Sequence, residues 1–333
     1  MAYIIAEIGN THEGSLQLAK KFADAASYCG VDCVKFQAHY FDEESLIHAP
    51  NPPYFKDETR KTYFDRTSFN LEQWTELRRY VEDDLNLDFM CSPFSVYAIE
   101  ILKNAGVKNF KVASGEVSNI PLLEKLANIP GSIFLSSGMS SYNEIDKAIN
   151  VLNKSSSSDK ILFQCTSEYP CKIENVGLNI IKVFLDKYPN WKIGLSDHTL
   201  SSTAAILSLS IGASVFEKHL TLSNMMYGSD AKNSLEPNDF KMYVENIREA
   251  ELCLRSSVDK DKLIYNLQNM KNTFEKSIVY SKNLNPGHII SFSDLDFKKP
   301  GDGINASDYK EFIGKRIIKE VTKDEYLTKN NLQ

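Results

Sequence analysis

Apolar runs recur along the chain at 3–9 (YIIAEIG), 33–37 (CVKFQ), 87–92 (LDFMCS), 109–114 (NFKVAS), 132–137 (SIFLSS), 161–166 (ILFQCT), 192–197 (KIGLSD) and 214–220 (SVFEKHL). Their length and their β-branched and aromatic content predict strands. Between them lie segments with apolar residues every three or four positions, such as LQLAKKFADAASYCG from Leu16 and LEQWTELRRYVEDDL from Leu71. These predict helices with one buried stripe. Cap chemistry marks where they start: Asn70 precedes the second example, and Ser141 with Glu144 makes a capping box. Strands that alternate with helices pair in parallel, because each helical crossover returns the chain to the same end of the sheet. Eight such units over about 250 residues predict an α/β fold, a (β/α)8 barrel of the TIM type. A doubly wound sheet is the alternative, and it gives no reason for eight.

The polar positions sharpen this reading. Nearly every run starts apolar and finishes in groups capable of chemistry: Glu7, then Asn10, His12 and Glu13; Lys35 and Gln37; Ser92; Lys111 and Ser114; Ser136 and Ser137; Gln164 and Thr166; Ser196 and His198; Glu217 and His219. Positions i and i+2 of a strand share a face, so Lys35 with Gln37, Ser196 with His198 and Glu217 with His219 each aim together. A barrel gathers all its strand ends at one rim, where barrel enzymes keep their active sites. His198 and His219 fall on neighbouring strands, and two imidazoles converging there suit a divalent metal with positions left open for water and substrate. The plainer reading is two separately hydrogen-bonded histidines. Lys35 and Lys111 have no evident partner, and with Ser114 and Ser136 they predict a site for a phosphate or carboxylate. The turn SSGMSS (136–141) adds small residues and backbone N–H groups where a strand meets a helix, a further phosphate cradle.

Beyond the helical stretch DFKMYVENIREAELCLRSS the pattern changes. Residues 257–273 are polar and charged and read as a linker. Residues 274–333 show short β runs, Pro-Gly and Gly-rich turns and one short helix, ASDYKEFIG, which predict a small, mostly β domain after a barrel domain of residues 1–256.

Composition narrows the functional classes. With 333 residues, 42% hydrophobic and 25% charged, the chain reads as an ordinary globular protein. A net charge of -6 argues against a nucleic-acid partner, while the local lysines still allow a small anionic substrate. No apolar run approaches the roughly 18 residues of a membrane helix, so no membrane partner is expected. The opening MAYIIAEIGN lacks a basic segment and a cleavage site, so no secretory signal is expected. The six cysteines (29, 33, 91, 165, 171 and 253) form no CxxC pair and predict reduced thiols in a cytoplasmic protein.

The segments IAEIGNTHEGSL, VKFQ, FKVASGE, LSSGM, CTSEYP, GLSDHT, EKHLTL and SLEP, with KPGDGI and IGK near the C-terminus, resemble the sialic acid (N-acylneuraminate) synthases and their legionaminic, pseudaminic and spore-coat relatives. The resemblance implies a TIM barrel joined to an antifreeze-like SAF domain, in a homodimer whose SAF domains are exchanged. It also implies condensation of phosphoenolpyruvate with an open-chain N-acylated aldose. By motif, His198 and His219 would hold a divalent metal, Mn2+ or Mg2+. Lys35, Lys111, Ser92, Ser114, Ser136 and Ser196 would grip phosphoenolpyruvate. Gln37, Ser167, Tyr169 and Asp230 would surround the sugar and the metal water, and Glu13 would position or deprotonate the attacking groups. Three positions depart from the family's bacterial pattern: Ser167 stands where Asn is common, Ser229 replaces Pro in the Gly228–Asp230 segment, and Lys299 replaces the SAF arginine that reaches the acyl group. These departures bear on the sugar: N-acetylmannosamine, its 6-phosphate, or a 2,4-diacetamido-trideoxyhexose. A phosphoenolpyruvate–aldose synthase of the octulosonate or heptulosonate type is the nearest rival, though without a SAF tail. A saccharide-binding or ice-binding protein is the non-catalytic one.

Overall fold

The apolar runs fold as eight parallel strands: β1 (Tyr3–Gly9), β2 (Cys33–Ala38), β3 (Asp88–Pro93), β4 (Asn109–Val112), β5 (Ser132–Ser136), β6 (Lys160–Cys165), β7 (Lys192–Ser196) and β8 (Val215–His219). In this computed structural model they close in sequence order into a barrel, with β8 against β1. Residues 1–51, 58–155, 159–228 and 230–333 are described, so Ser229 lies outside the described residues. The strands alternate as their period demands. Ile4, Ala6 and Ile8 of β1 point outward into one large core with helix residues such as Phe22, Ala26 and Leu77. Ile5, Cys33, Met90, Phe134, Ile161, Phe163 and Val215 point inward and plug the barrel. Full burial of side chains of this size contributes about 1.5–3 kcal/mol each.

The helices start where their caps require. Asn70 and Gln73 form a reciprocal capping box on Leu71–Arg79, and Ser141 and Glu144 do so on Tyr142–Leu152. The helix from Leu71 continues into a wider turn of π type at Tyr80–Asp84.

Two compact units divide the chain, Met1–Arg255 and Ser256–Gln333. The stretch read as a linker carries two short helices, Lys260–Asn266 and Gln268–Phe274. The remainder of the second unit pairs β9 (Ser277–Tyr280) antiparallel with β10 (Leu295–Lys298) over a core that includes Ile278, Tyr280, Phe312, Ile317 and Val321. The short helix expected near Ala306 is the tighter 3-10 form, Ala306–Glu311. Among the described residues no helix is long and apolar enough to cross a membrane.

Candidate active site

Register builds the site before any side chain is considered. Parallel pairing sets Glu7 beside Lys35 on one flank and beside His219 on the other. It sets Gln37 beside Ser92 and Ser196 beside Glu217. All of these side chains face a cavity of about 350 Å³ at the carboxyl ends of the strands, above the apolar plug.

At its base lie two lysines and two glutamates, all nearly inaccessible to solvent. Lys111 donates to both oxygens of Glu217, at 2.9 and 2.8 Å. Lys35 lies 2.9 Å from Glu217 Oε2 and 3.3 Å from Glu7 Oε2. Ser196 donates to Glu217 Oε1 at 3.0 Å. The two lysines, without evident partners in the sequence, are therefore bridged by one carboxylate, which strand order brings from 106 residues away from Lys111. Burial works against the Glu217 charge, and the attraction of Lys111 and then Lys35 overcomes it and holds the carboxyl well below its ordinary range. The lysines respond oppositely. Burial depresses Lys35 too, but Glu217 and Glu7 together raise it above its ordinary value. Burial lowers Lys111, which shares a single carboxylate and feels the charge of Lys35.

Above this base stand the two histidines, with ring centres 5.6 Å apart. His198 Nδ1 lies 2.7 Å from the Thr166 carbonyl, which fixes that nitrogen as the N–H and leaves a lone pair on Nε2. Burial, then the nearness of His219, pushes His198 down to about 3, so its ring is neutral near pH 7. His219 Nδ1 is buried without a hydrogen-bond partner, 4.0 Å from Asp230 Oδ2. A neutral imidazole with its far N–H held by a carbonyl, beside a second ring with an orphaned nitrogen, offers the donors a divalent ion takes. Among the described residues no group of three histidine, cysteine or carboxylate side chains could hold a metal alone. Water or substrate would complete the coordination.

Two glycines keep this region open. Gly9 has φ +59°, and a Cβ there would come within 2.9 Å of Asp230 Oδ2 and 3.4 Å of Gln37 Nε2. A Cβ on Gly138 would sit 2.4 Å from Ser167 Oγ and 2.5 Å from Ser114 Oγ. Ser114 and Ser136 hydroxyls lie 2.9 Å apart.

Of the residues singled out from the sequence, Lys35, Gln37, Ser92, Lys111, Ser114, Ser136, Tyr169, Ser196, His198, His219 and Asp230 line this one cavity. Tyr169 stacks on His198 with ring centres 4.2 Å apart. Ser167 lies behind Gly138 rather than on the lining. Ser137, Gly138, Ser140 and Ser141 of the SSGMSS turn line a neighbouring pocket of about 280 Å³. Glu13 is absent from the cavity lining: its Oε2 is held by Arg66 Nη1 at 2.5 Å, and the same guanidinium binds Glu58. Lys299, in the second unit, places its ammonium 5.1 Å above the Phe274 ring. Glu7, Glu217 and His39 line the cavity and went unassigned in the sequence. Strand parity was the available signal: Glu217 precedes His219 by two, and His39 continues the series Lys35, Gln37.

The sequence matches the NeuB family over residues 22–259 and the SAF domain over residues 275–333. The N,N'-diacetyllegionaminic acid synthase of Campylobacter jejuni is 34% identical, over 97% of this chain and 98% of that protein. The human N-acetylneuraminate-9-phosphate synthase is 32% identical, over 97% of this chain and 90% of that protein. Among solved structures, the N-acetylneuraminic acid synthetase of Leptospira borgpetersenii, in complex with citrate, superimposes with a TM-score of 0.69 at 29% identity, over 81% of this chain and 92% of that one. The spore coat polysaccharide biosynthesis protein SpsE of Bacillus subtilis shares the fold, with a TM-score of 0.67 at 22% identity over 100% of this chain and 95% of that one.

Proposed function

Because the chain belongs to the NeuB family, it is a transferase that uses phosphoenolpyruvate to make an acid of the sialic type, and we propose that its second substrate is the open-chain form of an N-acylated aldose. The observation that carries this reading is the cavity itself, with paired lysines at its base and two imidazoles above them. An ammonium has three N–H groups; Lys111 spends two on the oxygens of Glu217, and Lys35 is held by ion pairs with Glu217 and Glu7. Each keeps a donor for the phosphate or carboxylate of phosphoenolpyruvate, and the hydroxyls of Ser92, Ser114, Ser136 and Ser196 add neutral ones.

In the reaction, C3 of the enol forms a bond to the aldehyde carbon, whose oxygen takes up a proton. Water adds at C2 and gives up one proton; the C2–O bond to phosphate then breaks as the new hydroxyl loses its proton to the departing phosphate, leaving a 2-keto acid. A divalent ion, Mn2+ or Mg2+, held by His198 and His219 would supply a Lewis acid for the aldehyde oxygen. The lysines steady the charge that collects on the leaving phosphate. Glu13, whose Oε1 is buried without a hydrogen-bond partner, positions or deprotonates the attacking groups as the resemblance implies, and Glu7, at the cavity base, is a second carboxylate for that role. Gln37, Tyr169 and Asp230 face the sugar, and Ser167 acts from behind Gly138. Lys299 is the acyl-group contact, supplied by the exchanged SAF domain of a homodimer. Mixing a His198→Ala chain with a Lys299→Ala chain tests that exchange, because a mixed dimer would regain one intact site.

A phosphate-release assay tests the whole reading. Phosphoenolpyruvate is offered with N-acetylmannosamine, its 6-phosphate and a 2,4-diacetamido-trideoxyhexose, with and without chelator. Release with one of these, lost on chelation and restored by Mn2+ or Mg2+, is expected. Release that needs a pentose or tetrose phosphate instead would move the protein to the octulosonate or heptulosonate reaction.

A further inference from the structure

β2 and the residue after it present Lys35, Gln37 and His39, three side chains of one parity, along the cavity wall. The His39 ring is sandwiched between Phe64, 4.0 Å away and 3° from parallel, and Phe94, 3.8 Å away and 20° from parallel. Both its nitrogens face oxygen. Nδ1 is 2.7 Å from Glu44 Oε1, and Nε2 is 3.2 Å from Gln37 Oε1.

The orientation of the Gln37 amide is not free. Its Nε2 donates at 2.6 Å to Oε1 of Glu7, whose carboxylate is also paired with Lys35. Turning the amide over would set its oxygen against a carboxylate oxygen and its NH2 against the ring. Gln37 Oε1 therefore faces His39 and needs a proton there, so Nε2 is N–H. The Glu44 carboxylate, which also accepts from the Tyr40 backbone N–H at 3.3 Å, needs one on Nδ1. A neutral imidazole carries one N–H and cannot serve both.

We infer that His39 is an imidazolium, charge-balanced by Glu44, and that it is a positioning residue whose two N–H groups lock the Gln37 amide and through it the Glu7 carboxylate. The aromatic faces on either side suit a cation. Among the described residues, besides Glu44 on the helix Phe41–Glu44, Glu116 on the turn Ser114–Glu116 is near enough to feel the charge of the ring. The helix Arg60–Thr67 and the segment after β3 offer the two phenylalanines, and His39's own strand offers Gln37. The chain from Glu44 through His39, Gln37, Glu7 and Lys35 to Glu217 is unbroken. Loss of the proton on His39 Nε2 would leave two lone pairs facing one another and release the amide that orients Glu7.

The protonation state is read by nuclear magnetic resonance of histidine ring nitrogens at pH 7.5, where a free imidazole with its pKa of about 6.5 is mostly neutral. The His39 signals are identified by their loss in His39→Gln. Two protonated ring nitrogens are expected in the wild-type protein and one in Glu44→Gln. A wild-type ring in a single neutral tautomer overturns the inference. The positioning role, which rests on the function proposed above, is read from kinetics. Glu44→Gln should lower kcat/KM about 10-fold at pH 8 and much less at pH 6, where acid restores the ring proton, while Glu44→Asp stays near wild type. An equal loss at both pH values would mark Glu44 as merely structural and overturn that role. Absence of turnover with every aldose would sink the proposed function and leave the resonance result standing.

Discussion

Two buried lysine–carboxylate networks lie back to back on the two faces of β8. Inside the barrel, Glu217 of β8 bridges Lys35 and Lys111 beneath the cavity. Outside it, Lys218, the next residue, pairs with Asp197 at 2.9 Å and donates to the carbonyls of Thr199 and Ser201 at 2.6 and 3.4 Å. Asp197 is fully used as well, since its other oxygen accepts from Thr199 N–H. The Lys218 ammonium also sits 4.9 Å from the Tyr243 ring, on the long helix Pro237–Arg255. The chemistry is alike and the consequences differ. The outer pair is sealed, with its capacity spent on the loop that follows β7. The inner one opens on a cavity and keeps unspent donors. One step of strand parity decides which lysine can meet a substrate.

The largest effect expected from this contrast is on stability. Lys218→Met leaves Asp197 buried without its cation, and breaking a buried pair on one side costs about 3–5 kcal/mol. Chemical denaturation should show that loss, and Asp197→Leu combined with Lys218→Met should recover much of it. A single variant as stable as wild type would mean that the buried pair adds nothing to stability.

The inner lysine should behave the other way. Lys111→Ala leaves Glu217 still paired with Lys35, so stability changes less than in Lys218→Met. It removes a charge-assisted donor worth about 1.5–3 kcal/mol, so the KM for phosphoenolpyruvate should rise on the order of 10–100-fold, with a smaller change for the sugar. Steady-state kinetics with each substrate varied in turn separates the two. An unchanged KM for phosphoenolpyruvate would place that substrate elsewhere.

The same parity explains what could be read from the sequence. Eight strands, their order and the direction of their ends follow from local period and need no knowledge of contacts. So did the common orientation of Lys35 with Gln37 and of Glu217 with His219. The partner of a given charge is a different matter. Asp197 and His198 are adjacent in sequence, yet the chain leaving β7 sends Asp197 outward to Lys218 and His198 inward to the cavity. Glu217 looks no different in sequence from any strand-end glutamate, and only closure of β8 onto β1 brings it between two lysines. Glu13 has an equally hidden partner. Its φ of 53° belongs to a tight turn that delivers it to Arg66, on a helix some 53 residues away. Such contacts depend on register and loop path, which local pattern does not encode.

A third kind of buried ionisable group completes the contrast, one with no charged partner at all. His12 is fully buried, stacked on Phe69 with ring centres 4.5 Å apart. Its Nδ1 accepts from Gly14 N–H at 3.2 Å, so the proton sits on Nε2, which has no acceptor. Unlike the lysines, it has nothing to offset the cost of charging, and burial pushes it down to about 3. The unfolded chain takes up that proton as pH falls below the ordinary value near 6.5, and the folded protein refuses it until near pH 3. Between those limits the unfolded state binds more protons, so stability is full above pH 6.5 and falls as pH drops through the window. One such histidine contributes a slope of at most about 1.4 kcal/mol per pH unit. His198, depressed in the same direction, adds a comparable slope and remains in the variant. His12→Phe keeps a ring against Phe69 and removes the titration. It loses the Gly14 acceptor at every pH, which shifts the whole curve without changing its slope. Denaturation midpoints measured from pH 4.5 to 7 should therefore fall less steeply in the variant, by about the slope of one histidine. Parallel curves for the two proteins would show that His12 takes up its proton as readily in the folded protein as in the unfolded chain, and would overturn the depressed value.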